Sequence, residues 1–173
     1  DFPYQAGDAL GVWPCNAPDL VDELLSVINL DGDTQVDLNN LPPMTLRSAL
    51  TDHLEIARIS PDLLRRVADH SASPQLRTLL EEDNHGALQD WLWGRQLPTL
   101  LREFPIALEA EQWVQLLKPL QPRLYSISSS PNLTPNEVHL TVATVRYQHQ
   151  DQARGGVCST FLADRAGEQG VRI

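Results

Sequence analysis

The stretch Pro122-Arg123-Leu124-Tyr125-Ser126-Ile127-Ser128-Ser129-Ser130-Pro131 sets a cation, an aromatic ring and a hydroxyl along one short segment. Alternate residues of a strand share a face, so Arg123 and Tyr125 should point one way and Leu124 and Ser126 the other. An ordinary strand that runs into a serine-rich turn would carry the same residues, which leaves a structural and a functional interpretation equally open. The sequence Arg-Gly-Gly-Val-Cys-Ser-Thr at 154–160 favours the functional one.

Two adjacent glycines, Gly155 and Gly156, precede a short predicted helix that Ser159 opens and Gly167 ends. Glycine lets a ligand approach the backbone closely, and a helix N-terminus aims free N–H groups and partial positive charge at an anion. The hydroxyls of Ser159 and Thr160 should add further donors. A plain helix N-terminus is the alternative interpretation, and the glycine turn alone does not exclude it.

The two segments together indicate a ligand with two chemically different parts. Arg123 could bind a phosphate in bidentate fashion, Tyr125 could lie against a planar ring, and Ser126 could hydrogen-bond the edge of that ring. A large ligand with a diphosphate and a flat heterocycle would satisfy all three. The sequence has no Gly-x-Gly-x-x-Gly after a strand and no Walker sequence, which excludes a Rossmann or P-loop site. It also offers no supported Ser/His/Asp or Cys/His set for nucleophilic catalysis and no metal-ligand cluster.

Composition narrows the class of protein. The chain has 173 residues, 42% of them hydrophobic, and a formal net charge of −10, which suits one full domain or two small ones. The negative charge argues against nucleic acid or an anionic membrane as the main partner and would suit a basic protein. No apolar run approaches the ~20 residues of a membrane span, and two cysteines make no disulfide framework. The cytoplasm is the default location. Because Asp1 is no initiator methionine and the sequence stops at Ile173 just as a β-like run begins, we expect a segment of a longer protein.

The first part of the chain predicts a strand and then a helix. A short apolar strand ends at Pro14, which cannot donate to a ladder. Asn16 should cap the helix that follows, whose apolar face runs from Leu20 to Ile28. Asp31-Gly32-Asp33 closes that helix, and a calcium loop there is disfavoured because the remaining EF-hand ligands are absent.

Most of the remaining chain predicts helices, followed by one clear strand. Residues 45–118 are expected to be almost entirely helical, with Thr45, Ser60 and Ser73 as N-caps. Residues 137–147 alternate between two faces as a strand does. Three tryptophans are expected in the core because large aromatic side chains contribute much of the burial: Trp91, Trp93 and Trp113.

Three motifs, in this order, resemble a known family. They are Arg123-Leu124-Tyr125-Ser126, the strand segment Thr141-Val142-Ala143 ending in Tyr147, and Gly156-Val157-Cys158-Ser159-Thr160-Phe161-Leu162. They look like the FAD-binding domain of the diflavin reductases, closest to its sulfite reductase branch and more distant from NADPH–cytochrome P450 reductase. The segment from Tyr4 to Val12 resembles the barrel-entry strand of that family, and the helical stretch resembles its connecting subdomain. The resemblance therefore spans essentially the whole chain.

The resemblance implies a role for each cofactor-binding residue. Arg123 would neutralise the FAD diphosphate, Tyr125 would pack on the isoalloxazine, and Ser126 would sit near its N5 edge. Leu124, in the same motif, is counted with these cofactor-binding residues. Thr141, Val142 and Ala143 would present backbone groups to the flavin ring, and Tyr147 would contact the ribityl-phosphate or adenosine portion. Gly156, Val157, Cys158 and Ser159 would hold the diphosphate. Cys158 stands where relatives often carry another small residue, and we expect it to be a packing residue and not a redox thiol.

The resemblance also implies the fold and the activity. The fold class would be α+β: an antiparallel flavin-binding β-barrel, truncated, formed by 1–43 and 119–173, with an all-helical connecting insertion at 44–118. The parent protein would be an NADPH-dependent oxidoreductase that passes electrons through FAD to FMN and then to an acceptor, for which a haem-protein subunit is a candidate. The NADPH and FMN modules would lie in other parts of the parent, so this segment alone should not oxidise NADPH. The competing hypothesis is a non-catalytic helical docking or spacer module without bound flavin.

Overall fold

The computed structural model describes residues 3–39, 41–71 and 73–170. In chain order its helices and strands are β1 (Ala9–Val12), α1 (Pro18–Ile28), β2 (Gln35–Val36), β3 (Met44–Thr45), α2 (Leu46–Asp52), α3 (Pro61–Ser71), α4 (Pro74–Leu79), a 3-10 turn (Glu82–Asn84), α5 (His85–Leu92), α6 (Leu97–Glu103), α7 (Ala110–Leu116), β4 (Arg123–Ser126), β5 (Arg146–His149), β6 (Gln152–Gly155), α8 (Val157–Asp164) and α9 (Ala166–Gln169). The part of the chain that the structure describes thus combines helices with small antiparallel sheets.

The chain forms two compact units. The strand unit comprises the described part of residues 1–15, 121–147 and 153–173, and the helical unit comprises the described part of 16–120 and 148–152. Among the described residues, no helix is both long and apolar enough to cross a membrane.

The helical unit has one continuous hydrophobic core, to which each of the longer helices contributes a stripe of apolar side chains. Its fully buried members of largest volume are Leu24, Leu46, Leu50, Ile56, Leu63, Leu64, Leu76, Leu97, Leu100 and Trp113. The core accounts for the helical prediction over 45–118, because leucines at helical spacing require a common apolar neighbour to be stable in water.

The predicted N-caps of this unit are confirmed. The Ser48 amide donates to Thr45 Oγ1 over 3.1 Å, and the Leu63 amide donates to Ser60 Oγ over 3.2 Å. The Ser73 hydroxyl accepts from the Leu76 amide at 3.4 Å, immediately before Pro74. Each hydroxyl satisfies a backbone donor that the helix itself leaves without a partner.

The prediction for Asn16 is wrong. The N-cap of α1 is Ala17, and Asn16 is 1% exposed. Its Nδ2 donates to the carbonyl oxygens of Leu50 and Leu54 at 2.7 and 2.8 Å, and its own amide donates to Thr51 O at 2.8 Å. Asn16 therefore satisfies carbonyls at the end of α2, a partner distant in sequence that local pattern could not indicate.

The prediction of three core tryptophans is correct for Trp113 and wrong for Trp93. Trp113 is 1% exposed, and Trp91 packs partly buried against the helical core, where it meets Phe104. Trp93 is 79% exposed. Trp93 follows the end of α5 at Leu92 and has a non-helical backbone, so the helix does not direct its side chain to the core as it does that of Trp91.

The strand unit is built on the antiparallel pairing of β1 with β4. The register joins Ala9 to Ser126 and Val12 to Arg123, and the Ile127 amide extends it by donating to Asp8 O at 2.7 Å. An isolated antiparallel bridge between Ile127 and Leu140 lies just beyond β4. β5 and β6 form a separate two-stranded sheet that turns at Gln150 and Asp151, both with positive φ.

The predicted strand over residues 137–147 is largely absent, since only Arg146 and Tyr147 of that range lie in a regular strand. Near the end of this range, the backbone of Val145 has other partners. Its carbonyl accepts from the Gly156 amide at 3.0 Å, and its amide donates to Ser159 Oγ at 3.1 Å. The groups that a neighbouring strand would use are thus engaged by the turn before α8, and an alternating pattern cannot reveal such a partner.

The last helix also differs from the prediction. α8 begins at Val157 with Gly156 as its N-cap, and Gly167 lies inside α9 instead of ending a helix. The break between the two helices falls at Arg165, whose Nη2 donates to the carbonyl of Cys15 at 2.8 Å. A contact distant in sequence therefore accompanies this boundary, which the glycine signal misplaced.

Replacement of Asn16 should destabilise the helical unit. We expect Asn16→Ala to lower the free energy of unfolding by about 2 kcal/mol, because two buried carbonyls lose their donor. Urea denaturation followed by circular dichroism measures the change. The exposed Asn136 provides the matched control, and Asn136→Ala should stay within about 0.5 kcal/mol of the parent. Equal stabilities of the two variants would contradict the role of Asn16.

Replacement of Ser159 should weaken the strand unit. Ser159 is 7% exposed, and Ser159→Ala removes the acceptor of the Val145 amide, which should cost about 1–2 kcal/mol of unfolding free energy. Ser128→Ala is the control, because Ser128 is exposed and the His139 carbonyl that its hydroxyl contacts also receives the Ser128 amide at 2.9 Å. The same denaturation assay applies, and a loss no greater than that of the control would refute the Val145 anchor.

Candidate functional site

The face of β4 that carries Arg123 and Tyr125 defines the candidate site. Pairing with β1 sets Tyr125 opposite Leu10 and Arg123 opposite Val12, so these four side chains share one face. Leu124 lies on the other face at 73% exposure, together with the exposed Ser126. The alternation expected from the sequence is therefore present.

That face packs on the start of α8. Val12, Cys158 and Phe161 form a small buried core, and Tyr125 packs against it partly buried. The Cys158 thiol and the Arg123 guanidinium are both close enough to Tyr125 to act on its hydroxyl electrostatically. The structure thus brings together Arg123, Tyr125 and Cys158, three residues that the sequence placed in two separate motifs.

The electrostatics of this group favour uncharged side chains next to one cation. Burial, and then the neighbouring Cys158, raises the pKa of Tyr125 to about 12, and Arg123 opposes this rise with a smaller effect. Burial also raises the pKa of the Cys158 thiol. The neighbouring Tyr125 hydroxyl and the charge of Arg123 lower it, but they offset only part of that rise. At neutral pH the phenol and the thiol therefore both stay protonated, and Cys158 is no thiolate nucleophile.

The first turn of α8 supplies backbone donors. Its N-cap, Gly156, is extended and provides no side-chain cap, and the first helical bond is the one from the Thr160 amide to Gly156 O at 3.0 Å. The amides of Val157, Cys158 and Ser159 precede that bond and have no acceptor within the helix. These three N–H groups, with the positive end of the helix dipole, suit an anion.

The prediction that the hydroxyls of Ser159 and Thr160 add donors is wrong. Both donate to the Gly156 carbonyl, at 3.3 and 2.9 Å, and Ser159 Oγ also accepts from Val145. The two hydroxyls therefore stabilise the turn itself. Any donors that the turn offers to a ligand are its backbone N–H groups.

The two glycines are required by the chain's own packing. A Cβ at Gly155 would lie 2.6 Å from Thr160 Cγ2, and a Cβ at Gly156 would lie 2.9 Å from Ser159 Oγ and 3.2 Å from Val145 Cβ. Their function in the fold is to let the Val145 segment and the first turn of α8 approach each other. The glycine pair correctly predicted that another group approaches this backbone closely. The sequence did not show that this group is part of the chain itself.

The segment Thr141-Val142-Ala143 lies between two anchors. On one side the Ile127–Leu140 bridge makes Ser126 and Thr141 the next residues along two antiparallel segments. On the other side Val145 is held by the turn before α8. The segment is irregular, with Thr141 and Ala143 exposed and Val142 half-buried. One end of this segment is thus anchored next to the end of β4, and the other end is anchored at the start of α8.

Tyr147 occupies a different position. It is half-buried on β5, in the hairpin whose second strand leads into Gly155 and Gly156. The contacts recorded for the described residues do not join it to Arg123, Tyr125 and Cys158. Sequence reasoning also missed two contacts: the backbone of Val145 with the turn before α8, and Tyr125 with the core that contains Cys158. Neither has a local signal, because each joins residues that are distant in the chain.

The residue types present fit a ligand with an anionic part and a planar part. Three N–H groups and a guanidinium can bind phosphate oxygens, and a half-buried phenol ring can lie against a flat ring system. Among residues 3–39, 41–71 and 73–170 there is no group of acidic, cysteine and histidine side chains that could hold a metal ion. The arrangement therefore supports binding and orientation of a ligand.

Comparison with known proteins gives a consistent answer. A family profile described as "FAD binding domain" matches residues 1–161. The chain is 41% identical over 96% of its length to the sulfite reductase [NADPH] flavoprotein alpha-component of Mannheimia succiniciproducens. It is 42% identical over 98% of its length to the protein of the same name from Photorhabdus laumondii, and 39% identical over 94% to that of Bacillus subtilis.

The chain spans little more than a quarter of these relatives, 28% of the first two and 27% of the third. The family match covers well over half of the chain, and the motifs that suggested it lie on β4, on the segment after Leu140 and at the start of α8. The chain belongs to the FAD-binding domain family, with sulfite reductase flavoproteins among its relatives.

Proposed function

We propose that the strand unit holds FAD, with the diphosphate at the first turn of α8 and the isoalloxazine at Tyr125. The observation that carries this proposal is the contact of Tyr125 with Cys158, with Arg123 close to both. It places an aromatic ring, a cation and a helix N-terminus within one small region, and FAD has a flat ring system and a diphosphate that require such groups.

The proposal assigns a role to each of these residues. Arg123 neutralises the diphosphate, for which the amides of Val157, Cys158 and Ser159 and the turn at Gly156 supply hydrogen bonds. These residues bind and orient the cofactor, and FAD supplies the hydride and electron chemistry when bound. The support for these roles is the uncapped N-terminus of α8 and the proximity of Arg123 to Cys158.

The remaining roles concern the flavin ring and its chain. Ser126 lies near the N5 edge, Leu124 is one of the cofactor-binding residues, and the Thr141–Ala143 backbone faces the ring. Tyr147 contacts the ribityl-phosphate or adenosine portion. Support comes from the Ile127–Leu140 bridge, beyond which Ser126 and Thr141 come next, and from the hairpin that links Tyr147 to the glycine turn.

We further propose that the strands belong to an antiparallel flavin-binding β-barrel. In this proposal 1–43 and 119–173 are the barrel portion and 44–118 is a helical connecting insertion. The antiparallel pairing of β1 with β4, from two distant parts of the sequence, supports such an arrangement.

For the whole protein we propose an NADPH-dependent oxidoreductase. Electrons would pass from NADPH through FAD to FMN and then to an acceptor, with a haem-protein subunit as candidate, in the cytoplasm. The relatives described above are sulfite reductase [NADPH] flavoproteins, and their name supports this proposal. Parts of the protein beyond this chain would bind NADPH and FMN.

An FAD titration tests the binding site. We expect the chain to bind FAD, measured by quenching of flavin fluorescence and a shift of the flavin absorbance band. Arg123→Ala should weaken binding roughly 10- to 100-fold, since it removes a charge-assisted bond to the diphosphate. The matched control is Arg146→Ala, because Arg146 is an exposed arginine of the strand unit paired with Asp164 at 2.6 Å.

Two results would count against the proposal. A folded parent chain that took up no FAD would contradict the cofactor site and favour the docking or spacer hypothesis. An Arg123→Ala variant that bound FAD as tightly as Arg146→Ala would contradict the diphosphate role of Arg123 while leaving the family assignment intact.

A further inference from the structure

We propose that Glu103 is a positioning residue, which holds the turn of the β5–β6 hairpin in the register that the glycine turn before α8 requires. The inference rests on the proposed function, because that register affects FAD binding only if the first turn of α8 holds the diphosphate. It assigns a function to a carboxylate that lies outside the residues proposed to contact the cofactor.

The hairpin turn has an unfavourable sequence for its backbone. β5 ends at His149 and β6 begins at Gln152, so two residues form the turn, and both have positive φ, 48° at Gln150 and 62° at Asp151. A two-residue loop of this kind favours Asn-Gly or Asp-Gly. Gln150 stands at the position that prefers Asn or Asp, and Asp151 stands where glycine is preferred. We therefore expect the turn to depend on contacts from outside the hairpin.

The side chain of Glu103 contacts this turn and is itself held in place. Gln150 Nε2 donates to Glu103 Oε1 at 3.1 Å, and Arg95 Nη1 donates to the same oxygen at 2.5 Å. The Nε of Arg95 donates to the Trp91 carbonyl at 2.8 Å, and its guanidinium lies 4.2 Å from the centre of the Trp91 ring. The Arg95 side chain is only 13% exposed. A fixed arginine thus orients the carboxylate that accepts from Gln150.

The residues on either side of the turn are also in contact with the helical unit, to which 148–152 belong. A Cβ at Gly94 would lie 2.7 Å from Nδ1 of His149, so the Gly94 backbone packs closely against the residue before the turn. After the turn, Arg102 Nη1 donates to Gln152 Oε1 at 3.4 Å. Glu103 supplies the contact to the turn itself, where the backbone is least favourable.

The position of the turn determines the pairing at the glycine turn. Val145 lies five residues before Gln150, and Gly156 lies five residues after Asp151. They are therefore opposite each other in an antiparallel hairpin that turns at these two residues, and the Gly156 amide donates to the Val145 carbonyl at 3.0 Å. A turn one residue earlier or later would set a different residue opposite Gly156, the N-cap of α8.

The first experiment needs no FAD and compares two exposed glutamines, Gln150 and Gln148. Hydrogen exchange of the Gly156 amide, followed by NMR, reports how often its bond to Val145 opens. We expect Gln150→Ala and Glu103→Ala to speed this exchange about 5- to 10-fold, as the loss of one hydrogen bond implies. Gln148→Ala, which leaves the contact with Glu103 intact, should change it less than about twofold. Equal exchange in Gln150→Ala and Gln148→Ala would overturn the proposal.

A rescue separates positioning of the turn from stabilisation of the helical unit. Gln150→Asn with Asp151→Gly gives the turn its preferred sequence, so it should no longer need Glu103. We expect these two changes to return the Gly156 exchange of Glu103→Ala to within about twofold of the parent. If Glu103 serves only to pair with Arg95, changes in the turn cannot compensate for its loss. Failure of the rescue would therefore overturn the positioning role.

The second measurement uses FAD. We expect Glu103→Ala and Gln150→Ala each to weaken FAD binding about 3- to 10-fold, and the double variant to be no weaker than the weaker of the two, because both remove the same bond. Equal affinities of Gln150→Ala and Gln148→Ala would contradict the link to the cofactor site. A parent that bound no FAD would instead contradict the proposed function, while the exchange results would still decide whether Glu103 sets the hairpin register.

Discussion

The antiparallel pairing of Ala9–Val12 with Arg123–Ser126 is the constraint on which the candidate site depends. It joins two segments between which the whole sequence of the helical unit up to Leu120 intervenes. Closing so long a loop has a substantial entropic cost, which the ladder bonds and the small apolar core beneath them must offset. The register of this pair also decides function, because a slip by one residue would turn Arg123 and Tyr125 to the exposed face and Leu124 and Ser126 to the core face. The same bonds that hold the strand unit together thus orient the side chains of the candidate site.

The turn before α8 shows how one set of polar groups determines both fold and chemistry. Hydroxyls that could have capped the helix or bound a ligand instead bind the Gly156 carbonyl, and Ser159 also holds the Val145 amide. The side-chain oxygens of the turn are therefore used internally, and the amides of the first turn are left without helical acceptors. An anion is the natural partner for such amides. The requirement for glycine at 155 and 156 follows from the same close packing, so the glycine pair reports an internal contact as well as the start of a helix.

Prediction from sequence succeeded where the deciding interaction is local. The caps at Thr45, Ser60 and Ser73 each depend on a hydroxyl three residues from its donor, and the alternation along β4 depends only on backbone geometry. It failed where a distant partner decides. Asn16 was predicted to cap its own helix but satisfies one carbonyl of α2 and one just beyond its end. Residues 137–147 have a strand-like pattern although Val145 pairs with a turn. The family and its cofactor could be predicted because the motifs that indicate them are contiguous stretches of sequence in a fixed order. The contact between Tyr125 and Cys158 was not, since no pattern within either motif specifies its neighbour in space.

The distribution of charge resolves an apparent conflict between an acidic chain and an anionic ligand. Over the residue ranges of the helical unit there are 18 Asp and Glu against 8 Lys and Arg, whereas the ranges of the strand unit carry five of each. The difference of ten in the helical unit is the whole net charge of −10. Screening limits the effect of exposed charges to about 8–10 Å at ordinary ionic strength, so a diphosphate responds mainly to the groups next to it. In the proposed site those groups are backbone donors and one arginine, in a unit whose residue ranges carry no net charge. The negative charge that argued against nucleic acid therefore does not argue against FAD, and the expectation of a basic partner concerns the helical unit alone.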